Sequence, residues 1–383
     1  MNVGIPKEVA PERRVAATPE TARNLAQMGL EVLVEAGAGE GACIENRAYE
    51  DAGAKIETDA SAVLAADVVL KVDKPSLRHD LGEEVSRLKS GAVLVGLLSP
   101  ASNAPMIESL AKQGVTSFAM ELVPRIARAQ AMDALSSMST IAGYRAAILA
   151  AEGLQKMMPM MMTAAGTLQA ANALVIGAGV AGLEAIAVLR KLGANVRAID
   201  VRPAVKEQVE SLGAKFIALS VVHDEAQTEG GYANDLGESF YRQEQELIAP
   251  HLRGVDVVIT SALVPGRRAP VMITAEMLGL MARGGVVVDL AAGQGGNCAL
   301  TQAGKTVLAD GLRIIGPLNL PSELAVHASQ MYARNVLAFL KELMPAGAVK
   351  IDMENEVIRS MLVAHDGRVV SPALPAAAPK ETP

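Results

Sequence analysis

The stretch 173–182, ALVIGAGVAG, decides the fold. A short apolar run ends in Gly177, Gly179 and Gly182, spaced GxGxxG, and the helical run LEAIAVLRKLG follows from Leu183. In such a strand–turn–helix the first glycine makes the tight turn and the second lets backbone approach a pyrophosphate. The third lets the helix pack against the strand. The helix N-terminus then turns free N–H groups toward phosphate charge, which places Ala178 and Val180 in the same turn. A lone GxGxxG also fits a bland glycine turn, so its neighbours must carry the rest. Eighteen residues beyond Gly182, closing the next apolar run in NVRAIDVR, stands Asp200. A carboxylate there accepts from both adenosine ribose hydroxyls and repels a 2′-phosphate, which favours NAD(H) over NADP(H). Arg202 is the competing signal: it can serve a 2′-phosphate, or sit in a solvated ion pair.

Working outward, one pattern recurs: an Ala/Leu-rich helical segment, a glycine, then a short Val/Ile-rich strand. It occupies 24–34, 109–120, 189–199 and 211–219. Glycine suits the helix end because it takes the left-handed conformation without a Cβ clash. The runs 67–72, 92–97, 173–176, 255–260 and 286–290 are almost continuously apolar, the mark of parallel strands covered on both faces. Helix and strand alternate nearly throughout, so the class is α/β with parallel sheets.

At 383 residues the chain exceeds what one core usually fills, so two domains are expected. We place the first over 1–130 together with about 320–370, the dinucleotide-type domain over 131–319, and a flexible Pro-rich tail over 371–383. The uncharged stretch 157–183 is long enough to cross a bilayer. Its Pro159, Gln169, Asn172 and four glycines instead suit a loop, a strand and a turn.

Composition excludes several functions. With no Trp and only nine Phe plus Tyr there is little aromatic surface for single-stranded nucleic acid. A net charge of −7 offers no general attraction for nucleic acid or anionic lipid, so membrane association should run through a protein partner. Cys43 and Cys298 lie far apart without metal or disulfide spacing, and the amino terminus reaches charge by Lys7 without an apolar core. A cytoplasmic protein is the expectation. The five histidines form no HxxxH or HExxH pair, and no metal site is expected.

Two further segments could carry chemistry. PRIARAQAMDALSS, 124–137, gathers Arg125, Arg128, Gln130, Asp133 and Ser136 in an apolar neighbourhood. It reads either as a polar linker or as a set in which an arginine meets a diphosphate or carboxamide oxygen, an amide orients a ring and Asp133 anchors an arginine. HDEAQTEGGYANDLGESF, 223–240, reads as a floppy loop or as a lid with Tyr232 beside the Gly230–Gly231 hinge.

Taken together, VGIPKEVAPERRVAATPE (3–20), VLVEAGAGEGA (32–42), MELVPRIARAQAMDALSS (120–137), PMMMTAAGT (159–167), IGAGVAG with AIDVR, GGYA (230–233), PGRRAP (265–270), DLAAGQGGNC (289–298) and GPLNLPS (316–322) resemble the NAD(H)-binding domain I of proton-translocating transhydrogenases. The resemblance runs from the amino terminus to about residue 365 and is most specific at RIARAQAMDALSS. It implies two Rossmann-like domains, a homodimer, and NAD(H) in the cleft against the second domain. It implies NADP(H) and the membrane helices on partner subunits, leaving this chain peripheral to the inner membrane. Matched motif to motif, Arg125, Gln130, Asp133 and Ser136 resemble the loop that positions the nicotinamide end. Ala178, Gly179 and Val180 resemble the pyrophosphate turn, Asp200, Val201 and Arg202 the ribose contact, Tyr232 the mobile-loop residue and Leu263 a residue beside the adenine. In FYRQEQE, Glu244 stands where the family often has Gln, flanked by Gln243 and Gln245.

Transfer of a hydride between two nicotinamides exchanges no proton with a substrate. The expected roles of Arg125, Gln130 and Asp133 are therefore positioning, with no acid or base. The rival resemblance is to alanine dehydrogenase, which shares the PKE opening and the PG-R-AP turn. That family carries a histidine after the strand that follows its first-domain lysine. Lys71 is present in VLKVDKP, but VLVGLLSPASN, 93–103, has no histidine.

Overall fold

The structure, a computed structural model, describes residues 1–218, 238–263, 268–345 and 347–371. The chain forms two compact α/β units, one of residues 1–138 with 321–383 and one of residues 139–320.

The first unit is built on an eight-stranded sheet. In spatial order its strands are Arg368–Val369, Leu362–His365, Thr116–Ala119, Val93–Leu97, Val68–Asp73, Asn2–Ile5, Glu31–Glu35 and Lys55–Glu57. The last six run parallel, and the two from the carboxyl-terminal segment pair antiparallel at the edge. Leu94, Val69, Ala119 and Val363 pack with Ile107 and Leu110 of the helix Ala104–Lys112.

The second unit holds seven strands in the order Lys215–Ile217, Asn195–Ile199, Asn172–Ile176, Val257–Thr260, Val286–Asp289, Leu312–Ile315 and Thr306–Ala309. All but the last are parallel. Numbered along the chain, the parallel strands lie 3-2-1-4-5-6, the order of the doubly wound dinucleotide-binding fold. Both faces of this sheet are covered. Ala173, Val175, Val257, Ile259, Val286 and Val288 pack under Ala185, Ile186 and Leu189. The alternate residues Leu174, Ile176, Val258 and Val287 pack against Ile248, Leu252 and Leu278. Two cores on one strand explain why these runs are apolar at every position.

The expectation of purely parallel sheets needs correction at one edge of each sheet. Leu312–Ile315 and Thr306–Ala309 are joined through Asp310 and Gly311, with φ of +51° and +78°; Leu362–His365 and Arg368–Val369 are joined through Asp366 and Gly367, with φ of +48° and +73°. Paired positive φ values make a two-residue hairpin turn whose twist matches its strands, so the chain reverses instead of crossing over. The four helix–glycine–strand segments form as read, each glycine left-handed between +76° and +91°. The uncharged 157–183 stretch becomes the hairpin Met161–Thr163 with Gly166–Leu168, then the strand Asn172–Ile176, the glycine turn and the start of a helix. Among the described residues no helix is long and apolar enough to cross a membrane.

Candidate functional site

In the second unit, the strands Asn172–Ile176 and Val257–Thr260 are neighbours whose onward connections leave in opposite directions, so a crevice opens beyond their carboxyl ends. Gly177 and Ser261 are the first residues past those ends. The Ser261 hydroxyl donates to the Gly177 carbonyl at 3.0 Å, bridging the two strands.

Each glycine of the turn has its own steric reason. Gly177 has φ +93°, and a Cβ there would lie 2.8 Å from Ser261 Oγ. A Cβ on Gly182 would lie 1.9 Å from the Gly177 carbonyl oxygen, so only glycine lets the helix Val180–Lys191 sit this close to the strand. Gly179, the N-cap, faces open space: the nearest atom to a Cβ there is Arg202 Nη2 at 3.9 Å. The first amide–carbonyl bond of the helix runs from Leu183 to Gly179, which leaves the earlier N–H groups without an intrahelical acceptor. Val180 is exposed at the turn and Ala178 is buried behind it. A backbone donor cluster opening beside a residue without a side chain can hold an anion.

Asp200 follows the adjacent strand Asn195–Ile199 and is buried. Its Oδ2 accepts from the Ala178 N–H at 2.7 Å, and its Oδ1 from the Arg202 N–H at 2.8 Å. The Arg202 guanidinium spans both oxygens, Nε to Oδ1 at 2.9 Å and Nη2 to Oδ2 at 2.8 Å. The pair is largely out of solvent, with side-chain exposures of 16% and 4%, so the solvated ion pair considered for Arg202 is replaced by a buried two-point one. Val201 between them is half-buried.

Glu244, on the helix Glu238–Ile248, is also buried. Burial, and then the negative charge of Asp200, push its carboxyl up to about 7. Among the described residues it has no hydrogen-bond partner. Of its flanking residues, Gln243 is exposed and Gln245 donates to the Val271 carbonyl at 2.6 Å. Leu263, past Ser261 and Ala262, is exposed. Gly177, Ala178, Gly179, Val180, Gly182, Asp200 and Arg202 are thus brought together, with Glu244 within electrostatic reach of Asp200. Tyr232 lies outside the described residues.

Arg125, Gln130, Asp133 and Ser136 belong to the first unit. Arg125 and Gln130 are exposed, and the 3-10 turn Ala127–Met132 is fixed from beneath by Asn335, whose amide donates to the Ala131 carbonyl at 2.8 Å. Asp133 precedes the helix Ala134–Gly153 and accepts from the Ser136 N–H at 2.8 Å and the Ser136 hydroxyl at 2.6 Å. Its carboxylate therefore satisfies a donor of the first turn, as an N-cap does. Arg128 is held by Glu342 at 2.9 Å and Asn355 at 3.1 Å.

Sequence reasoning missed a second charged constellation. In the first unit Lys71 is 1% exposed, its Nζ 2.9 Å from Glu8 and 3.2 Å from Glu84. Burial pulls the Lys71 ammonium down and the two carboxylates more than restore it, while Glu8 is lifted to about 6 by burial against that same attraction. It also missed Ser261, for which the only signal was its place after an apolar run.

Two α/β units on mostly parallel sheets, one with a glycine turn at the reversal of strand order, define a two-domain α/β chain of the doubly wound class. The family model described as "Alanine dehydrogenase/PNT, N-terminal domain" matches residues 4–142, and "Alanine dehydrogenase/PNT, C-terminal domain" matches residues 146–372. An NAD(P) transhydrogenase subunit alpha chain of Rhodospirillum rubrum is 48% identical over 98% of this chain and 99% of its own length. The crystal structure of transhydrogenase from Sinorhizobium meliloti superimposes with a TM-score of 0.86 at 46% identity, covering 97% of this chain and 100% of that one. Alanine dehydrogenase of Halomonas elongata is 31% identical over 96% of this chain and 94% of its own. The chain belongs to the alanine dehydrogenase/PNT family and is a homologue, over nearly its whole length, of the NAD(P) transhydrogenase alpha subunit.

Proposed function

We propose that the chain is the NAD(H)-binding, hydride-transferring component of a proton-translocating transhydrogenase. It acts as a homodimer with separate NADP(H)-binding and membrane-spanning subunits, which hold it at the inner membrane from the cytoplasmic side. The observation that carries the binding role is the Gly177–Gly182 turn beside Asp200. An open N-cap at Gly179, unpaired helix N–H groups and a buried carboxylate at the end of the next strand fit a pyrophosphate followed by a ribose. Gly177, Ala178, Gly179 and Val180 would hold the diphosphate, Asp200 with Val201 and Arg202 the ribose, and Leu263 the adenine side. Tyr232 is assigned to a lid and Glu244 to the ribose end. Arg125, Gln130, Asp133 and Ser136 would orient the nicotinamide end, acting by placement and not by proton transfer. Bound NADH supplies the hydride, and the chain's work is to fix the ring and keep water away from it.

The alanine dehydrogenase reading would need Lys71 available to a substrate, but that ammonium is sealed between Glu8 and Glu84. The test is to measure NADH oxidation by the chain in two settings: with the NADP(H)-binding and membrane components plus NADP⁺, and alone with pyruvate plus ammonia. Turnover in the first and none in the second is expected; the reverse would overturn the reading.

A further inference from the structure

The DLAAGQGGNC segment has no role in the site as proposed, yet it contains the most densely bonded carboxylate among the described residues of the second unit. Asp289 ends the strand Val286–Asp289 and is fully buried. Its Oδ1 accepts from the Thr260 hydroxyl and the Ala291 N–H, both at 3.0 Å. Its Oδ2 accepts from the Asn297 N–H at 2.7 Å, the Cys298 N–H at 3.1 Å and the Thr301 hydroxyl at 2.6 Å. A carboxylate with five donors is a rigid anchor. Gly296 is required beside it: its φ is +82°, and a Cβ there would lie 2.9 Å from Asp289 Oδ2.

What this anchor fixes is Asn297, itself fully buried. The Asn297 Oδ1 accepts from the Ala262 N–H at 3.0 Å, and its Nδ2 donates to the carbonyls of Ala262 and Pro270, both at 2.8 Å. Its own carbonyl accepts from Met272 at 2.7 Å and Ile273 at 3.0 Å. The amide thus serves both peptide groups of Ala262 and joins the two sides of the segment between Leu263 and Ala269. Ala262 stands between Ser261, which bonds the Gly177 carbonyl, and Leu263. Both amide protons and the oxygen are used. No other side chain of this size has two donors and an acceptor in that layout, since aspartate has no donor and serine is too short.

We propose that Asn297, held by Asp289, is a positioning residue for the adenosine end of the nucleotide site, fixing Ser261–Leu263 against the glycine turn. The proposal rests on the dinucleotide reading above. It makes the GGN segment a support of the site without contact with the nucleotide.

The test uses the full chain and AMP as the probe of the adenosine end, titrated by calorimetry against wild type, Asn297→Ala and Ser261→Ala. Asn297→Ala should lose roughly tenfold in AMP affinity. In the reconstituted complex its KM for NADH should rise in parallel while kcat is retained, and hydrogen exchange at the Ala262 amide should accelerate. Wild-type AMP affinity in folded Asn297→Ala, or a fall in kcat without a rise in KM, would overturn the proposal. If Asn297→Ala does not fold, Ser261→Ala decides, because it removes only the tie to Gly177: weaker AMP binding supports the proposal and unchanged binding defeats it. Wild-type protein that binds neither AMP nor NADH would instead defeat the dinucleotide reading.

Discussion

The Arg202 guanidinium lies two-point on the Asp200 carboxylate, Nε to Oδ1 at 2.9 Å and Nη2 to Oδ2 at 2.8 Å. In the sequence these residues argue for opposite cofactors, the aspartate for a free ribose and the arginine for a 2′-phosphate. In the structure they are one unit. The carboxylate holds the guanidinium back from solvent and the guanidinium compensates a buried negative charge. Removing either partner therefore changes what the other can do.

Asp200→Ala should weaken NADH by about tenfold, near 1.4 kcal/mol. It should also raise NADPH affinity in absolute terms, because Arg202 is released for a 2′-phosphate. Asp200→Ala with Arg202→Ala should lose the NADPH gain and keep the NADH loss. Titration by nucleotide fluorescence distinguishes them; NADPH affinity that stays flat in the single variant would show that Arg202 does not face the ribose.

Glu244 supplies a pH prediction. Its carboxyl sits at about 7 in the fold against an ordinary value of 4.5, so between those values the folded chain holds a proton that the unfolded chain has released. The stabilisation is complete below the unfolded value and is lost as pH climbs to about 7, by up to roughly 3 kcal/mol. Glu244→Gln keeps the shape of the neutral acid and should flatten that fall. The difference between wild type and Glu244→Gln in urea denaturation should open as pH rises from 5 to 8, with the variant the more stable at the alkaline end. A constant difference would mean that the carboxyl titrates normally.

Much of the second unit was legible because its strands are apolar at every position, a pattern that only burial on both faces explains. The glycine turn was legible for the same kind of reason: Gly177 and Gly182 are dictated by atoms within a few residues or on the neighbouring strand. The antiparallel edges were present in the sequence as Asp310–Gly311 and Asp366–Gly367, two-residue turn signals masked by the dominant helix–strand alternation. Other features needed the third dimension. Gly143 admits the Ala181 carbonyl 2.1 Å from where its Cβ would be, yet it looks like any small residue in a helix. Glu244 stood out only as a departure from a family pattern, and nothing local placed it near Asp200. Lys71, Glu8 and Glu84 are far apart in the chain and meet only once the first sheet has formed.

Lys71→Met tests how that buried trio is balanced. Removing the cation leaves Glu8 and Glu84 facing each other without compensation, and the loss should be about 3 to 5 kcal/mol. Replacing Glu84 by Gln in the same chain should recover some of it. Urea denaturation of the two variants measures the difference; equal stability of Lys71→Met and wild type would mean that the carboxylates take up protons at little cost.

The last prediction concerns the exposed end of the 124–137 segment. Gln130 lies on a 3-10 turn that Asn335 fastens at the Ala131 carbonyl, and the helix after it is capped by Asp133 through Ser136. The backbone under Gln130 is therefore held from both sides while its amide projects outward. Shortening that side chain should displace the amide without loosening the turn. If the segment orients the nicotinamide ring, the hydride step should suffer more than affinity, because alignment of two rings limits transfer and the diphosphate and ribose contacts supply most of the binding. Gln130→Asn, which keeps the amide and drops one methylene, should slow stopped-flow hydride transfer in the reconstituted complex about tenfold or more, or ~1.4 kcal/mol. NADH dissociation should change only a few-fold. Loss of binding in proportion to rate would make the segment an anchor for the nucleotide, and loss of neither would make it a linker between the units.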